Sequence, residues 1–173
     1  QITSRPRVRS VRDGAFALVD DRGPLAWPER IEEIASALDF SKRVLLEIGC
    51  GNGAVAVALA PLVERVVAIE DDSHALALAR ASLAMSAVSN VELRNEPALE
   101  ARFDPAACVI AHPPVSLDHD AWFRVARTAL APDGRAVIAL DWLEREGTSL
   151  ETRIGATLSN LPTRAIVLAR PID

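Results

Sequence analysis

Apolar residues along this chain fall into blocks with two different periods. From residue 43 onward, short runs of consecutive apolar residues alternate with segments whose apolar positions recur every three or four residues. Segments 44–48, 65–69, 91–94, 107–111, 135–140 and 164–169 read as strands, and near-continuous apolar character means that both faces of each are covered. Segment 54–60 is apolar on all sides and reads as a short helix buried at the centre of the domain. Segment 73–88 places Leu76, Ala79, Leu83 and Ala87 on one face of a longer helix. Segments 120–130 and 144–161 read as further helices, with a turn at 132–134 before the fifth strand. Strict alternation of strand and helix predicts an α/β fold: a doubly wound, mostly parallel sheet with helices on both faces. In such sheets ligands bind beyond the carboxyl ends of the strands, near the point where strand order reverses.

The opening of the chain has a different pattern. Arg5, Arg7, Arg9 and Arg12 precede the first acid, Asp13. Residues 14–20 read as a short strand and 21–24 as a turn. Pro28 suits a first helical position, and Ile31, Ile34, Ala35 and Leu38 follow at helical spacing, so 28–39 reads as an amphipathic helix. The expected division is a basic segment with a short strand and turn over 1–27, then one domain over 28–173. In an extended segment Arg5, Arg7 and Arg9 share a face. That arrangement suits phosphates, hence RNA, and equally describes a solvated terminus.

Composition narrows the possibilities. The 173 residues make one domain's worth of core, with 50% apolar and 25% charged positions, which excludes a disordered tail. A net charge of −5 argues against a general nucleic-acid binder. Cys50 and Cys108 cannot form a disulfide framework, and neither has zinc-ligand spacing, so no metal is expected. The longest apolar stretch, 54–63, is about ten residues with a proline inside, against the ~20 that a membrane helix needs. The polar N-terminus has no signal-peptide core, and a cytoplasmic location is the default expectation. The chain begins at Gln1 rather than Met, which leaves room for a preceding segment. Arginine far outnumbers lysine, of which Lys42 is the only one; this reads as a habit of the source genome.

Candidate chemistry starts where the first long strand ends. Glu47-Ile48-Gly49-Cys50-Gly51-Asn52-Gly53 opens directly into the short apolar helix. Glycines there let backbone approach a ligand, and the helix start offers free N–H groups to an anionic group. Glu70 ends the next strand, where a carboxylate can accept both hydroxyls of a ribose. The loop also fits a dinucleotide pattern through Gly49, Gly51 and Ala54, so a nicotinamide cofactor has to be weighed. Against it stand the acid two residues before the first glycine, the early position of Gly53, and the lack of room for a separate substrate domain.

These residues resemble the class I S-adenosylmethionine-dependent methyltransferase family, whose fold is Rossmann-like. The glycine loop is similar to the family's E-x-G-x-G-x-G signature, and Glu70 to its ribose-binding acid. Leu130-Ala131-Pro132-Asp133-Gly134 resembles its turn before the fifth strand. The resemblance implies S-adenosylmethionine as cofactor. Gly49, Gly51 and Gly53, with Cys50 and Asn52 between them, would pass under its methionine part, and Glu47 would lie close to that part's ammonium. Glu70 would bind the ribose, Asp71 would lie beside the adenine, and Glu96 would reach the adenine amino group. Ala111, at the end of the fourth strand, would complete the cofactor site.

The acceptor end of the same pattern reads Ala111-His112-Pro113-Pro114-Val115. It is similar to the D/N-P-P-aromatic motif of enzymes that methylate planar amino groups, with His112 for the amide or acid and Val115 for the ring. His112 is therefore the candidate catalytic residue, a general base for an O–H, N–H or acidic C–H acceptor; lining the pocket is the bland alternative. Asp118-His119-Asp120 reads as a helix start rather than a metal site, because consecutive residues point in different directions. Asp141, Trp142 and Trp27 are further candidates for the pocket or for packing. The expected function is methyl transfer to a small-molecule acceptor, the compact layout resembling the decarboxylating precorrin methyltransferases. RNA base methylation is one alternative, and a non-catalytic cofactor-binding or partner module is another. A homo-oligomer would be one way of covering the sheet edge after the last strand.

Overall fold

The computed structural model describes residues 7–11, 16–20, 31, 34–36, 38, 43–113, 119–143 and 165–172. The expected helix at 144–161 and Trp27 lie outside these residues, as does most of the expected helix at 28–39. Of that helix, Ile31, Ile34, Ala35 and Ser36 are helical, and Ile31 and Ile34 are fully buried.

Two strands, β1 (Arg7–Val11) and β2 (Phe16–Asp20), pair antiparallel in a sheet of their own. The strand expected at 14–20 thus pairs with the arginine-bearing segment and does not extend the main sheet. It runs alongside helix α2 described below. The main sheet is formed by β3 (Val44–Ile48), β4 (Arg65–Glu70), β5 (Val91–Asn95), β6 (Ala106–Ala111), β7 (Leu130–Leu143) and β8 (Ala165–Ile172). Its order is β5-β4-β3-β6-β7-β8, and every neighbouring pair is parallel. The helices are α1 (Ala54–Leu59), α2 (Ser73–Met85) and α3 (His119–Ala129), with a short 3-10 turn at Ala60–Leu62.

Period-two alternation divides the core into two layers. Leu45, Val66, Ala68, Cys108, Ile110, Val137 and Ala139 face α1, together with Ile31, Ile34 and Leu38. Leu46, Ile48, Ile69, Val109, Ala111, Ala136 and Ile138 face Trp122, Phe123 and Ala126 of α3. Every residue of α1 is buried, as its unbroken apolar sequence requires. Strand order reverses between β3 and β6, so the carboxyl ends of these two strands flank the crevice where such sheets bind ligands.

Two local features differ from the expectation. The turn at 132–134 does not precede β7 but lies inside it: Ala106 pairs with Leu130 and Cys108 with Arg135, so the extra residues bulge out of the ladder. Gly134 is needed at this bulge, since a Cβ there would lie 2.9 Å from the Ala107 carbonyl oxygen and 3.0 Å from that of Ala106. As β7 runs on to Leu143, Asp141 and Trp142 are paired with Arg170 and Pro171 of β8 rather than standing beyond the strand. Helix α2 also ends earlier than its periodicity suggested. Ala87 adopts φ 53°, the Ala87 N–H donates to the Ala84 carbonyl, and the Val88 N–H donates to that of Leu83. This is a Schellman closure with alanine where glycine is usual.

Ala87 pays the Cβ strain of the left-handed region without any compensating side-chain bond of its own. Ala87→Gly should therefore stabilise the domain by about 0.5–1 kcal/mol, read as a higher urea midpoint at unchanged slope.

Candidate functional site

The loop after β3 turns from a buried strand into a buried helix within a few residues. Gly49, Gly51 and Gly53 all have positive φ, at 79°, 54° and 77°. Close packing surrounds two of them. A Cβ on Gly49 would lie 3.0 Å from the His112 carbonyl oxygen and 3.0 Å from the Trp122 ring, and one on Gly53 would lie 3.1 Å from Ala79 Cβ. A Cβ on Gly51 would meet nothing within 4 Å. Gly51 is thus the point at which backbone is open to an approaching ligand. Asn52 Oδ1 accepts from the Ala54 N–H at 3.3 Å and braces the helix start.

The loop is fastened to the end of β4. The Gly49 and Cys50 N–H groups both donate to the Ile69 carbonyl, at 2.9 and 3.0 Å. The Gly51 N–H donates to Glu70 Oε2 at 2.8 Å, and the Asp71 and Asp72 N–H groups donate to Oε1, each at 3.0 Å. A carboxylate has about four acceptor positions, so Glu70 keeps capacity for a ligand hydroxyl while its orientation is set by backbone. Asp72 caps α2 by accepting from the N–H groups of His74 and Ala75. Cys50 is buried, and burial first, then the Glu47 and Glu70 carboxylates, push its thiol well above the ordinary range. It packs as an apolar side chain and is not a nucleophile.

Glu47 is 1% exposed, within the core layer beside α1. It pairs in register with Ile110, and His112 follows two residues further along the same face of β6. The His112 N–H donates to the Ile48 carbonyl at 2.9 Å, which carries the strand pairing one residue past Ala111. His112 Nε2 stands 3.4 Å from Glu47 Oε1. Burial raises the Glu47 carboxyl above its ordinary value, while the nearby His112 imidazole and a hydrogen bond from the Ala56 backbone pull the other way. Glu47 Oε2 has no hydrogen-bond partner among the described residues.

A cavity of about 230 Å³ opens beside this loop, with Gly49, Ile69, Glu70, Asp71, His112 and Trp122 in its wall. The rest of the wall is segment 97–100. The structure therefore brings Gly49, Glu70, Asp71 and His112 together, as the sequence suggested. It places Glu96 elsewhere: that carboxylate pairs with Arg94, and the neighbouring Pro97 to Glu100 face the cavity instead. Trp122 was not legible as a site residue. It is 5% exposed, its indole fills the space beneath Gly49, and its Nε1 has no partner among the described residues. A tryptophan on the helix that follows the Pro-Pro segment was the available signal. Asp120 pairs with Arg124 one turn along α3, at 3.5 Å. Among the described residues no helix is long and apolar enough to cross a membrane.

These residues fit S-adenosylmethionine. An open glycine at Gly51, a backbone-oriented carboxylate at Glu70 and an apolar wall of Ile69 and Trp122 provide a close backbone approach, an acceptor for a ribose hydroxyl and a dry surface.

Burial of Glu47 has a consequence for stability. The folded chain holds the Glu47 proton to higher pH than the unfolded chain, whose value is 4.5. The associated stability is full below pH 4.5 and is lost as pH rises through the folded value. Glu47→Gln carries no such proton. Urea unfolding across a pH series should show the variant gaining on the wild type from about pH 4.5 upward; a difference that does not change with pH would refute the assignment.

Comparison with known proteins agrees with the geometry. Residues 31–158 match the methyltransferase small domain family. No curated protein matches the chain. Among solved structures, precorrin 8w decarboxylase from Methanobacterium thermoautotrophicum is similar at 25% identity and a TM-score of 0.63, covering 80% of this chain and 73% of that one. Trm5b from Pyrococcus abyssi is similar at 15% identity and a TM-score of 0.70, covering 93% of this chain and 46% of that one. A SAM-dependent O-methyltransferase from Thermotoga maritima is similar at 21% identity and a TM-score of 0.66, covering 80% and 51%. This chain thus spans about half the length of the last two. The family match runs from the helix before the glycine loop to beyond the fifth parallel strand, and it takes in the glycine loop, Glu70 and His112; the chain belongs to the methyltransferase small domain family, with S-adenosylmethionine as the implied cofactor.

Proposed function

We propose that this protein is an S-adenosylmethionine-dependent methyltransferase acting on a small-molecule acceptor. The observation that carries the reading is the joining of the glycine loop to Glu70 at the reversal point of the sheet, within a chain that matches a methyltransferase family over residues 31–158. The bound cofactor supplies an electrophilic methyl group on a sulfonium. Gly51 admits the cofactor to the backbone, and Glu70 accepts from a ribose hydroxyl. Asp71 lies beside the adenine, and segment 97–100 takes the place at the adenine that Glu96 was expected to fill. Trp122 and Ile69 keep water from the reacting atoms, and His112 faces the acceptor. Alignment and water exclusion then supply most of the rate.

A small acceptor is supported by the precorrin 8w decarboxylase similarity, which extends over most of both chains. The specific feature that favours RNA instead is β1, where Arg7 and Arg9 occupy alternate positions of a strand outside the main sheet. On the small-molecule reading, residues 1–27 are an accessory segment to a catalytic domain over 28–173.

Calorimetry with S-adenosylmethionine, S-adenosylhomocysteine and NAD tests the cofactor. The first two should bind at micromolar level and NAD should not. Glu70→Gln should weaken binding of both by about tenfold or more, because a charged acceptor is lost while one oxygen remains to hold the loop. Binding of NAD alone would overturn the reading. Salt-sensitive RNA binding that disappears on deleting residues 1–12 would move the acceptor from small molecule to RNA; its absence is expected.

A further inference from the structure

We propose that Glu47 is a positioning residue, which holds the His112 imidazole in the cavity wall so that His112 takes the proton lost by the methyl acceptor. This rests on the methyltransferase reading above, and it gives Glu47 a task other than contacting the cofactor's ammonium.

The geometry supports it from several directions. Register places Glu47 and His112 on the same sheet face of adjacent strands, at the reversal point. His112 Nε2 is buried and stands 3.4 Å from Glu47 Oε1. His112 lines the 230 Å³ cavity, whereas Glu47, at 1% exposure, is not in that wall. Glu47 therefore reaches the cavity only through the imidazole. The titratable groups that act on Glu47 and its surroundings are His112, Glu70 and Cys50, and of these only the imidazole can become a cation.

The step balances as follows. The proposed step needs the imidazole nitrogen that does not face Glu47 to receive the proton. The acceptor atom attacks the sulfonium methyl carbon. A bond forms between acceptor and carbon, the carbon–sulfur bond breaks, and its electron pair stays on sulfur. The acceptor's proton passes to the imidazole, and Glu47 balances the imidazolium. A buried negative charge becomes a neutral pair during the reaction. The acceptor class this selects has a proton to lose, an O–H, N–H or acidic C–H, rather than a thioether or tertiary amine.

The test uses the full chain labelled with ¹⁵N-histidine. Signals of His112 are identified by their loss in His112→Gln. In the wild type at neutral pH the ring hydrogen should sit on Nε2. In Glu47→Leu, whose apolar side chain suits the buried position, that preference should disappear, and carbethoxylation of His112 by diethyl pyrocarbonate should slow about tenfold or more. If Glu47→Leu does not fold, Glu47→Gln carries the same readouts. An unchanged ring tautomer in a folded variant overturns the proposal. Calorimetry supplies the second arm. S-adenosylhomocysteine and 5′-methylthioadenosine, which lacks the amino-acid part, should each bind the variant within about twofold of the wild type. Selective loss of S-adenosylhomocysteine affinity by about tenfold or more would place Glu47 at the ammonium and overturn the proposal. If neither nucleoside binds the wild type, the methyltransferase reading fails, while the histidine signals still decide the Glu47–His112 pair.

Discussion

A strand buried on both faces has to become a helix buried on all sides within the space of residues 49–53, and the rest of the site follows from how the backbone does it. Side chains cannot be accommodated at Gly49 or Gly53, because the His112 carbonyl, the Trp122 ring and Ala79 already occupy the space. The backbone donors exposed by the turn need acceptors in a region with little water. They find them on β4: the Ile69 carbonyl takes two, and Glu70 takes a third. The same bonds that make the turn possible also fix Glu70 relative to the glycine loop. Loop stability and ligand geometry are thus one arrangement.

Placing a carboxylate at Glu47, buried one residue before the end of β3, works against folding. An apolar residue of similar size would satisfy the core layer that contains Leu45 and Ile110 without a desolvation cost. The structure offers Glu47 an imidazole across the strand pair, and burial keeps its carboxyl raised despite that partner. A destabilising group retained in the core at the binding end of the sheet is the pattern expected of a site residue rather than a packing residue.

Much of this arrangement could be read along the chain, and the parts that could not have a common cause. Strands β3, β4 and β6 and helix α1 announce themselves through local periodicity, and the glycine loop through residue types that only a tight, ligand-facing turn requires. Glu70 followed from its place at a strand end. What differed lies in pairing, capping and side-chain contacts that periodicity does not report. The continuity of β7 through Pro132, Asp133 and Gly134 is set by pairing with β6, which a local turn signal contradicts. Glu96 pairs with Arg94, two residues back along the chain. The pairing of β1 with β2 and the placement of Trp122 under Gly49 are likewise tertiary facts. Helix α2 stops at Met85 despite apolar periodicity through Ala87, because capping bonds to Leu83 and Ala84 outweigh the cost of a left-handed alanine.

The residue at position 112 connects the fold to the choice of acceptor. Its backbone carries the strand pairing past Ala111 to the Ile48 carbonyl, so its side chain is held by the sheet and not by a loose loop. An amide or carboxylate there can hold a planar amine but has no strong need for a charged neighbour in the core. An imidazole can pair with a carboxylate, and Glu47 stands 3.4 Å from His112 Nε2 on the adjacent strand. The buried acid and the histidine therefore make sense together and less well apart.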